Sequence, residues 1–501
     1  MPTESTAARH HLGAVARGST ATLAGALVST VASFALALVV TRSTGQETAG
    51  EFFVATAIFV VALAAASLGT ETGLARFVLR SETGPALHGL LRAAALPVLV
   101  VAVALAALLA LWVPEARGLA WALPLAAVSD FCLAAVRAHA RFRSTVLIDR
   151  VARPVLQIVV VAAALATGAG AAGLTAAWAC AYVLTAALAL HALRGMLRVP
   201  GAAAHAAAAS TERMQVDARS FWRFTWLRAL ARIAQVSIQK LDIVLVAALL
   251  GATDAAVYAV ATRFVVFGQL ANQAVSSVVQ PRFTLILAGN DDPRLLSRVF
   301  GVTTGWSMLL AWPVYLCAAA APMAYLGWFG AGYERAEAAA VVLVMVAGML
   351  VAVATGPVDT LLLMAGRSGW SLANTLLAAV VNIGLCLLLV PWLGIVGAAV
   401  AWVVAVLLRC GLATVQLRAD VRLAPDLRPL GLAAALPVLC LLLPVAALGR
   451  VVDLSPLGWL LACAVAAAAY AAVLWRLRVP LAIDVVLDSL LARRRVPAVA
   501  R

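Results

Sequence analysis

Residues 93–112 read AAALPVLVVAVALAALLALW, with no charged side chain from end to end. A bilayer core about 30 Å thick is crossed by roughly 20 apolar helical residues rising 1.5 Å each. The stretch therefore predicts a transmembrane helix. Working outward, comparable runs occupy 18–40, 52–69, 118–136, 154–167, 170–192, 224–250, 255–281, 299–322, 338–364, 370–390, 393–416, 429–448 and 455–475, fourteen segments in all. The composition agrees: 64% of the 501 residues are hydrophobic and 12% charged, with a mean hydropathy of +1.02. Soluble domains run near 45–50% apolar and about 25% charged, so a water-soluble enzyme and a disordered chain are both excluded. The stretch 1–17 is polar. The run that follows is too long for a signal-peptide core, so it reads as a retained first helix.

The net charge of +15 is built from 36 Arg and the lone Lys240. Placing the N-terminus in the cytoplasm puts 31 cations on that side, counting adjacent helix ends, and only Arg42, Arg117, Arg335 and Arg450 on the other, with Lys240 and Arg263 within spans. That asymmetry is the positive-inside pattern, and it predicts cytoplasmic N- and C-termini with an even number of spans. The charge is thus an orientation signal and a contact with anionic lipid, not a sign of nucleic acid. External connections are short, which leaves no room for an extracytoplasmic catalytic domain. A P-loop is excluded because Lys240 follows Gln239 rather than Gly. The seven Cys are scattered singly, without Cys-x-x-Cys, and the six His lack ligand spacing, so neither a metal nor any other cofactor is expected.

An internal repeat adds organisation. At an offset of 206, Gly45-x-x-x-Ala49-x-x-Phe52-x-Val54-Ala55-Thr56-x-x-x-Val60 lies over Gly251-x-x-x-Ala255-x-x-Tyr258-x-Val260-Ala261-Thr262-x-x-x-Val266, and Arg76-Phe77 over Arg282-Phe283. Both copies start on the same side of the membrane, six spans apart, which makes a parallel repeat. The expected fold class is an all-α polytopic membrane protein of fourteen transmembrane helices: two six-helix lobes plus a C-terminal helix pair. The expected boundaries are a tail at 1–17, an N-terminal lobe at 18–192, a linker at 193–220, a C-terminal lobe at 221–418, appended helices at 419–476 and a basic tail at 477–501. Paired lobes of this kind put a substrate site between them and work by alternating access.

Charge inside hydrocarbon costs at least about 2.5–3.5 kcal/mol per residue and marks a pathway more often than not. In the seventh segment Arg228, Arg232, Gln235, Gln239 and Asp242 recur at spacings of 4, 3, 4 and 3. That is one helical face, with Lys240 beside it. The eighth carries Thr262, Gln269, Gln273, Ser276 and Gln280, flanked by Arg263 and Asn272. The first has a milder stripe of Thr22, Ser29 and Ser33. These faces predict a wet, cationic cavity; the alternative is that Arg228 and Arg232 lie at the cytoplasmic surface as topology charges and that Lys240 and Asp242 satisfy local partners. Asp242 cannot face Lys240 two residues away, and Arg263 is a candidate partner. Asp130, after Pro124, and Asp359, after Gly356-Pro357, sit in corresponding segments of the halves. They are candidates for ion coupling or gating, or for structural hydrogen bonds at a kink. Trp112, Trp121, Trp328, Trp392 and Trp459 at one end, with Trp222, Trp370 and Trp475 at the other, read as interfacial belts.

Four stretches carry a family likeness: Leu68-Gly-Thr-Glu-Thr-Gly-Leu-Ala-Arg-Phe77, Val358-Asp-Thr-Leu-Leu-Leu-Met-Ala-Gly-Arg367, Asn382-Ile-Gly-Leu-Cys-Leu-Leu-Leu-Val-Pro391 and Gly394-Ile-Val-Gly-Ala-Ala-Val-Ala401. Together they resemble the Wzx-like oligosaccharide and polysaccharide flippases of the multidrug/oligosaccharidyl-lipid/polysaccharide (MOP) exporter superfamily, over about 18–418. Near-total replacement of Lys by Arg departs from that family. The resemblance implies two six-helix lobes around a cationic cavity, commonly with two further helices. It also implies a non-enzymatic function in a bacterial plasma membrane: moving undecaprenyl-(pyro)phosphate-linked oligosaccharide from the cytoplasmic to the outer leaflet for envelope or exopolysaccharide assembly. On that reading Arg228, Arg232, Lys240 and Arg263 hold the pyrophosphate, while Gln235, Gln239, Gln269 and Gln273 meet sugar hydroxyls. Partners would be membrane lipids, the lipid-linked oligosaccharide, and a polymerase and glycosyltransferases. The alternatives are a multidrug cation antiporter of the same superfamily and, further off, an integral-membrane glycosyltransferase or polymerase.

Overall fold

In the computed structural model, residues 3–78, 84–139, 142–197, 218–289, 293–421, 423 and 428–478 are described. The expected linker and basic tail lie largely outside them. No strand occurs among the described residues. That follows from the solvent: in hydrocarbon every backbone N–H and C=O must be satisfied within the segment, and a helix does so. Among the described residues, eleven helical stretches are long and apolar enough to cross a membrane, and twelve if a pair bent by 54° counts as one span. The chain is a multi-pass membrane protein.

Two compact units are formed. The first takes residues 1–260 and 375–402. It contains α1 (Thr3–Ser43), α2 (Gln46–Ala66), α3 (Thr70–Phe77), α4 (Gly84–Trp112), the bent pair α5 (Arg117–Ala120) and α6 (Leu123–Ala138), α7 (Phe142–Thr145), α8 (Arg153–Ala166), α9 (Ala171–Leu197), α10 (Ala218–Leu250) and nearly all of α11 (Ala252–Ala261). Here α10 packs along α2 and α3, and α9 lies against α6 and α8. Phe59, Trp178 and Tyr182 form an aromatic knot with centroids 5.4–5.5 Å apart.

The second unit takes residues 261–374 and 403–501. It contains α12 (Val265–Ala288), α13 (Pro293–Ala320), α14 (Pro322–Gly327), α15 (Ala336–Ala354), α16 (Val358–Met364), α19 (Arg428–Pro437), α20 (Leu443–Val451) and α21 (Pro456–Arg476). Two long helices, α17 (Ser368–Leu393) and α18 (Ile395–Val421), contribute residues to both units. The core of the second unit gathers Val275, Val279, Phe283, Leu296, Phe300, Leu361, Leu362 and Leu417. Its last helix is stitched on by two polar tips: Trp459 Nε1 donates to the Cys317 carbonyl at 2.9 Å and Tyr470 Oη to the Leu309 carbonyl at 2.9 Å.

Two of the fourteen expected segments do not stand as single apolar spans. The fifth is preceded by a π-helical turn over Val146–Ala152, carrying Asp149 and Arg150, which takes up its approach and leaves α8 with 14 residues. The eighth is cut at Thr262–Phe264 into α11, of 10 residues, and α12, of 24. Both are helical: charge shortens the apolar run of the fifth, and in the eighth the Gln, Asn and Ser residues of α12 dilute it. The two repeat copies share local features. Gly45 and Gly251 each precede a helix, Phe52 and Tyr258 are buried, and Phe77 and Phe283 are buried beside exposed Arg76 and Arg282. They differ in that α2 runs unbroken through the position where the second copy bends.

Candidate substrate-binding face and buried charge pairs

The polar stripe of α10 is one exposed face. Arg232, Gln235 and Gln239 are exposed and Arg228 half-buried. At roughly 100° per residue, Trp226 and Leu230 point half a turn away, and they too are exposed, at 52% and 38%. Between these faces, Thr225, Ala229, Val236 and Ile243 are buried, and Phe221, in register with the polar stripe two turns before Arg228, is buried too. Exposed Arg219 and Arg223 precede Trp226 and Leu230 on the same side; beyond those first turns the helix is exposed on one apolar and one polar side, which suits a lipid face and a water face. The seam to α3 is a backbone contact: Gly69, at φ +69°, lies so close that a Cβ there would sit 2.5 Å from the Ala229 nitrogen and 2.8 Å from the Thr225 carbonyl oxygen. Only glycine accepts both that φ and that approach. The stripe is not uniform along its length. Asp242, 4% exposed, is tied inward by the Tyr258 hydroxyl, which donates to Oδ2 at 2.8 Å, and by the Ile243 N–H on Oδ1 at 2.9 Å. Its partner is thus Tyr258 from α11, not Arg263. Lys240 is half-buried beside it in sequence.

In the second unit α12 repeats the pattern. Gln273 and Gln280 are exposed, Gln269 and Ser276 half-buried, and opposite them Val278 and Leu285 are exposed at 59% and 70%. Arg263 sits half-buried in the Thr262–Phe264 break, with Tyr325 near its guanidinium. In the first unit α1 shows the same division, with exposed Thr22 and Ser33 opposite exposed Leu27 and Val31.

The other two in-span acids are ion-paired. Asp130, within α6 beyond the 54° bend of the α5–α6 pair, has Arg153 Nη1 at 3.8 Å from Oδ1. The same Arg153 places Nη2 2.8 Å from Asp149 and lies 5.5 Å from the Tyr182 ring. Asp359 stands in the first turn of α16, just past Gly356 at φ +77°, and meets Arg409 Nε of α18 at 3.4 Å. One turn apart at the end of α18, Asp420 takes a two-pronged bond from Arg367 at 2.6 and 2.9 Å, while Gln416 and Asn374 exchange amide bonds at 2.8 and 3.0 Å. Sequence reasoning misses Arg153, Arg409 and Tyr258. Arg409 is visible as a charge inside the apolar run 393–416, but there it counts as one of the cytoplasmic cations. The belt is corrected as well. Trp112, Trp121, Trp370, Trp392 and Trp475 are exposed as expected. Trp328, in contrast, is part-buried and donates to the Pro456 carbonyl at 3.1 Å, and Trp459 clamps α21 to α13.

No family model matches the sequence, and no curated protein matches it significantly. Solved structures do. The lipid II flippase MurJ, in an inward closed conformation, aligns over 90% of this chain and 99% of its own, with a TM-score of 0.63 at 10% identity. An inward-facing multidrug-resistance MATE transporter of the MOP superfamily aligns over 81% and 98%, with a TM-score of 0.58 at 15% identity. A MOP superfamily transporter from Pyrococcus furiosus, described as having a binding pocket of reversed polarity, aligns over 82% and 95%, at 0.56 and 14%. These alignments show that the chain shares the fold of these solved membrane transporters.

Proposed function

We propose that the chain is a flippase that moves an undecaprenyl-(pyro)phosphate-linked oligosaccharide from the cytoplasmic to the outer leaflet of a bacterial plasma membrane, by alternating access between lobes related by the internal repeat, with both termini in the cytoplasm. The observation that carries this reading is the cationic water face of α10, set opposite its lipid face. A desolvated phosphate dianion needs fixed cations and charge-assisted hydrogen bonds, and Arg228 and Arg232, with Lys240 and Arg263, supply the cations. Gln235, Gln239, Gln269 and Gln273 are amide donors and acceptors suited to sugar hydroxyls. A resemblance to a flippase of a lipid-linked substrate supports the same reading. An inside-negative potential favours outward movement of an anion by about 2.3 kcal/mol per charge per 100 mV. Asp130, Asp242 and Asp359 then act as gating or coupling groups, whose partners Arg153, Tyr258 and Arg409 they exchange as the lobes move.

The MATE likeness keeps a cation antiporter as the rival, but a cationic drug requires accessible, unneutralised carboxylates: Asp130 and Asp359 each have an arginine beside them, and Asp242 is buried against the Tyr258 hydroxyl. The deciding experiment is the triple charge reversal R228E/R232E/K240E. Export of lipid-linked oligosaccharide is lost while membrane insertion is retained. Unchanged export by that variant, or drug resistance conferred on an efflux-deficient host, refutes the proposal.

A further inference from the structure

A second cation stands beside this face from another helix. Arg76, in the last turn of α3, places its Cζ 4.4 Å from the centre of the Phe224 ring and 5.7 Å from that of Phe77. Arg228, one turn beyond Phe224 on α10, places its own Cζ 5.5 Å from the same Phe224 ring. Neither guanidinium has an ion pair among the described residues; the acid on α3, Glu71, goes to Arg137 at 3.8 Å. An aromatic face attracts a cation only modestly at an exposed site, and it carries no net charge to cancel one. Two positive groups are therefore held near one ring without neutralisation.

The fold enforces this juxtaposition. Gly69 brings the backbone of α3 onto that of α10, and a Cβ on Gly73 would reach Thr225 Oγ1 at 2.5 Å and the Phe221 ring at 2.8 Å. Phe77 wedges edge-on against Phe221 and Phe224, with centroids 5.7 and 6.0 Å away. A guanidinium stacked on a ring loses rotational freedom and keeps its N–H edges for an outside acceptor, the geometry suited to two-pronged phosphate recognition. Arg76 is exposed, and Arg232, one turn past Arg228, adds a third such cation on the water face. Trp226 and Leu230, exposed on the other side of α10, place the membrane within one helix width.

We propose that Arg76 and Arg228, braced on Phe224, form a binding site for a lipid-borne phosphate or diphosphate group. The assignment of a transported ligand to it rests on the flippase reading; the anion chemistry does not. Two sources share that chemistry: a polyprenyl diphosphate carrier and the bulk anionic phospholipid.

The test uses the full chain, purified in detergent, with inorganic pyrophosphate as the probe in equilibrium titration. Wild-type protein binds it. R76Q and F224L weaken binding about ten-fold or more, the worth of one charge-assisted contact, and R76K retains part of it. R117Q, which removes an equal charge from a residue bonded to the Ala110 carbonyl, leaves binding unchanged. Phosphatidylglycerol nanodiscs that displace pyrophosphate, where phosphatidylcholine nanodiscs do not, assign the site to bulk lipid; pyrophosphate retained in both assigns it to the diphosphate carrier. Equal binding by R76Q and wild type overturns the site. Should that occur while R228E/R232E/K240E still abolishes export, the clamp fails and the flippase reading stands. Weakened binding in R76Q with export intact in the triple variant sustains the clamp and sinks the flippase reading.

Discussion

Replacing Gly69 by Ala combines two physical costs that meet at one residue. Gly69 adopts φ +69°, where an L side chain costs about 1–2 kcal/mol. Its added methyl would also press on the backbone of α10, 2.5 Å from the Ala229 nitrogen and 3.0 Å from the Arg228 carbonyl carbon. Backbone atoms cannot swing aside, so the helices must separate, and overpacking of this kind costs about 1–3 kcal/mol. Together these make G69A about 2–5 kcal/mol less stable. Two companion substitutions isolate the parts. At Gly366, φ is +77° and an added Cβ meets nothing within 4 Å. G366A therefore bears the backbone cost alone, about 1–2 kcal/mol. At Gly45, φ is −67 and extended backbone follows, and an added Cβ again meets open space. G45A stays within about 0.5 kcal/mol of the parent. The assay is the midpoint of thermal unfolding in detergent for the parent and the three variants. The expected order of loss is G69A, then G366A, then G45A. Equal midpoints for G69A and G366A would refute the close approach of α3 to α10 and, with it, the bracing of Arg76 beside Arg228.

Three more outcomes follow from contacts inside the units. Y258F leaves Oδ2 of the buried Asp242 without its donor, a loss of about 1–3 kcal/mol; restored stability in the double variant Y258F/D242N checks that the loss belongs to the pair. R153A strips both Asp130 and Asp149 of a cation and is costlier than R150A. The half-exposed pair lost in R150A leaves Asp149 bonded to Arg153 and is worth about 0–1 kcal/mol, and unfolding of the two variants measures the difference. Cys317 of α13 and Cys463 of α21 lie near each other on two helices that Trp459 and Tyr470 hold together. A mild added oxidant therefore links them in one chain, read as a disulfide-bonded peptide pair by mass spectrometry; C463S shows no link, and a linked product elsewhere contradicts the packing of the last helix.

Legibility in the sequence tracks the range of the interaction. The α10 face is readable because its residues are related by helical spacing alone, and the structure exposes Arg232, Gln235 and Gln239 together. Asp242 has the same spacing, yet it turns inward, since Tyr258, sixteen residues on, offers its hydroxyl. Arg409 misleads because a charge close to the end of an apolar segment looks like a topology signal. Its partner Asp359, fifty positions away, makes it an internal one.

The chain alone carries its solvent and a signal for its orientation. Apolar content dictates burial in lipid, and the Arg bias favours one side for the cytoplasm, because both depend on composition summed over local windows. The faces of α1, α10 and α12 follow from a period of 3.6. Span number, the pairing of each in-membrane acid and the meeting of Arg76 with Arg228 were decided in three dimensions. They depend on where helices break and which backbones touch, and a left-handed glycine at 69 or a π turn at 146–152 acts through contacts that no local window contains.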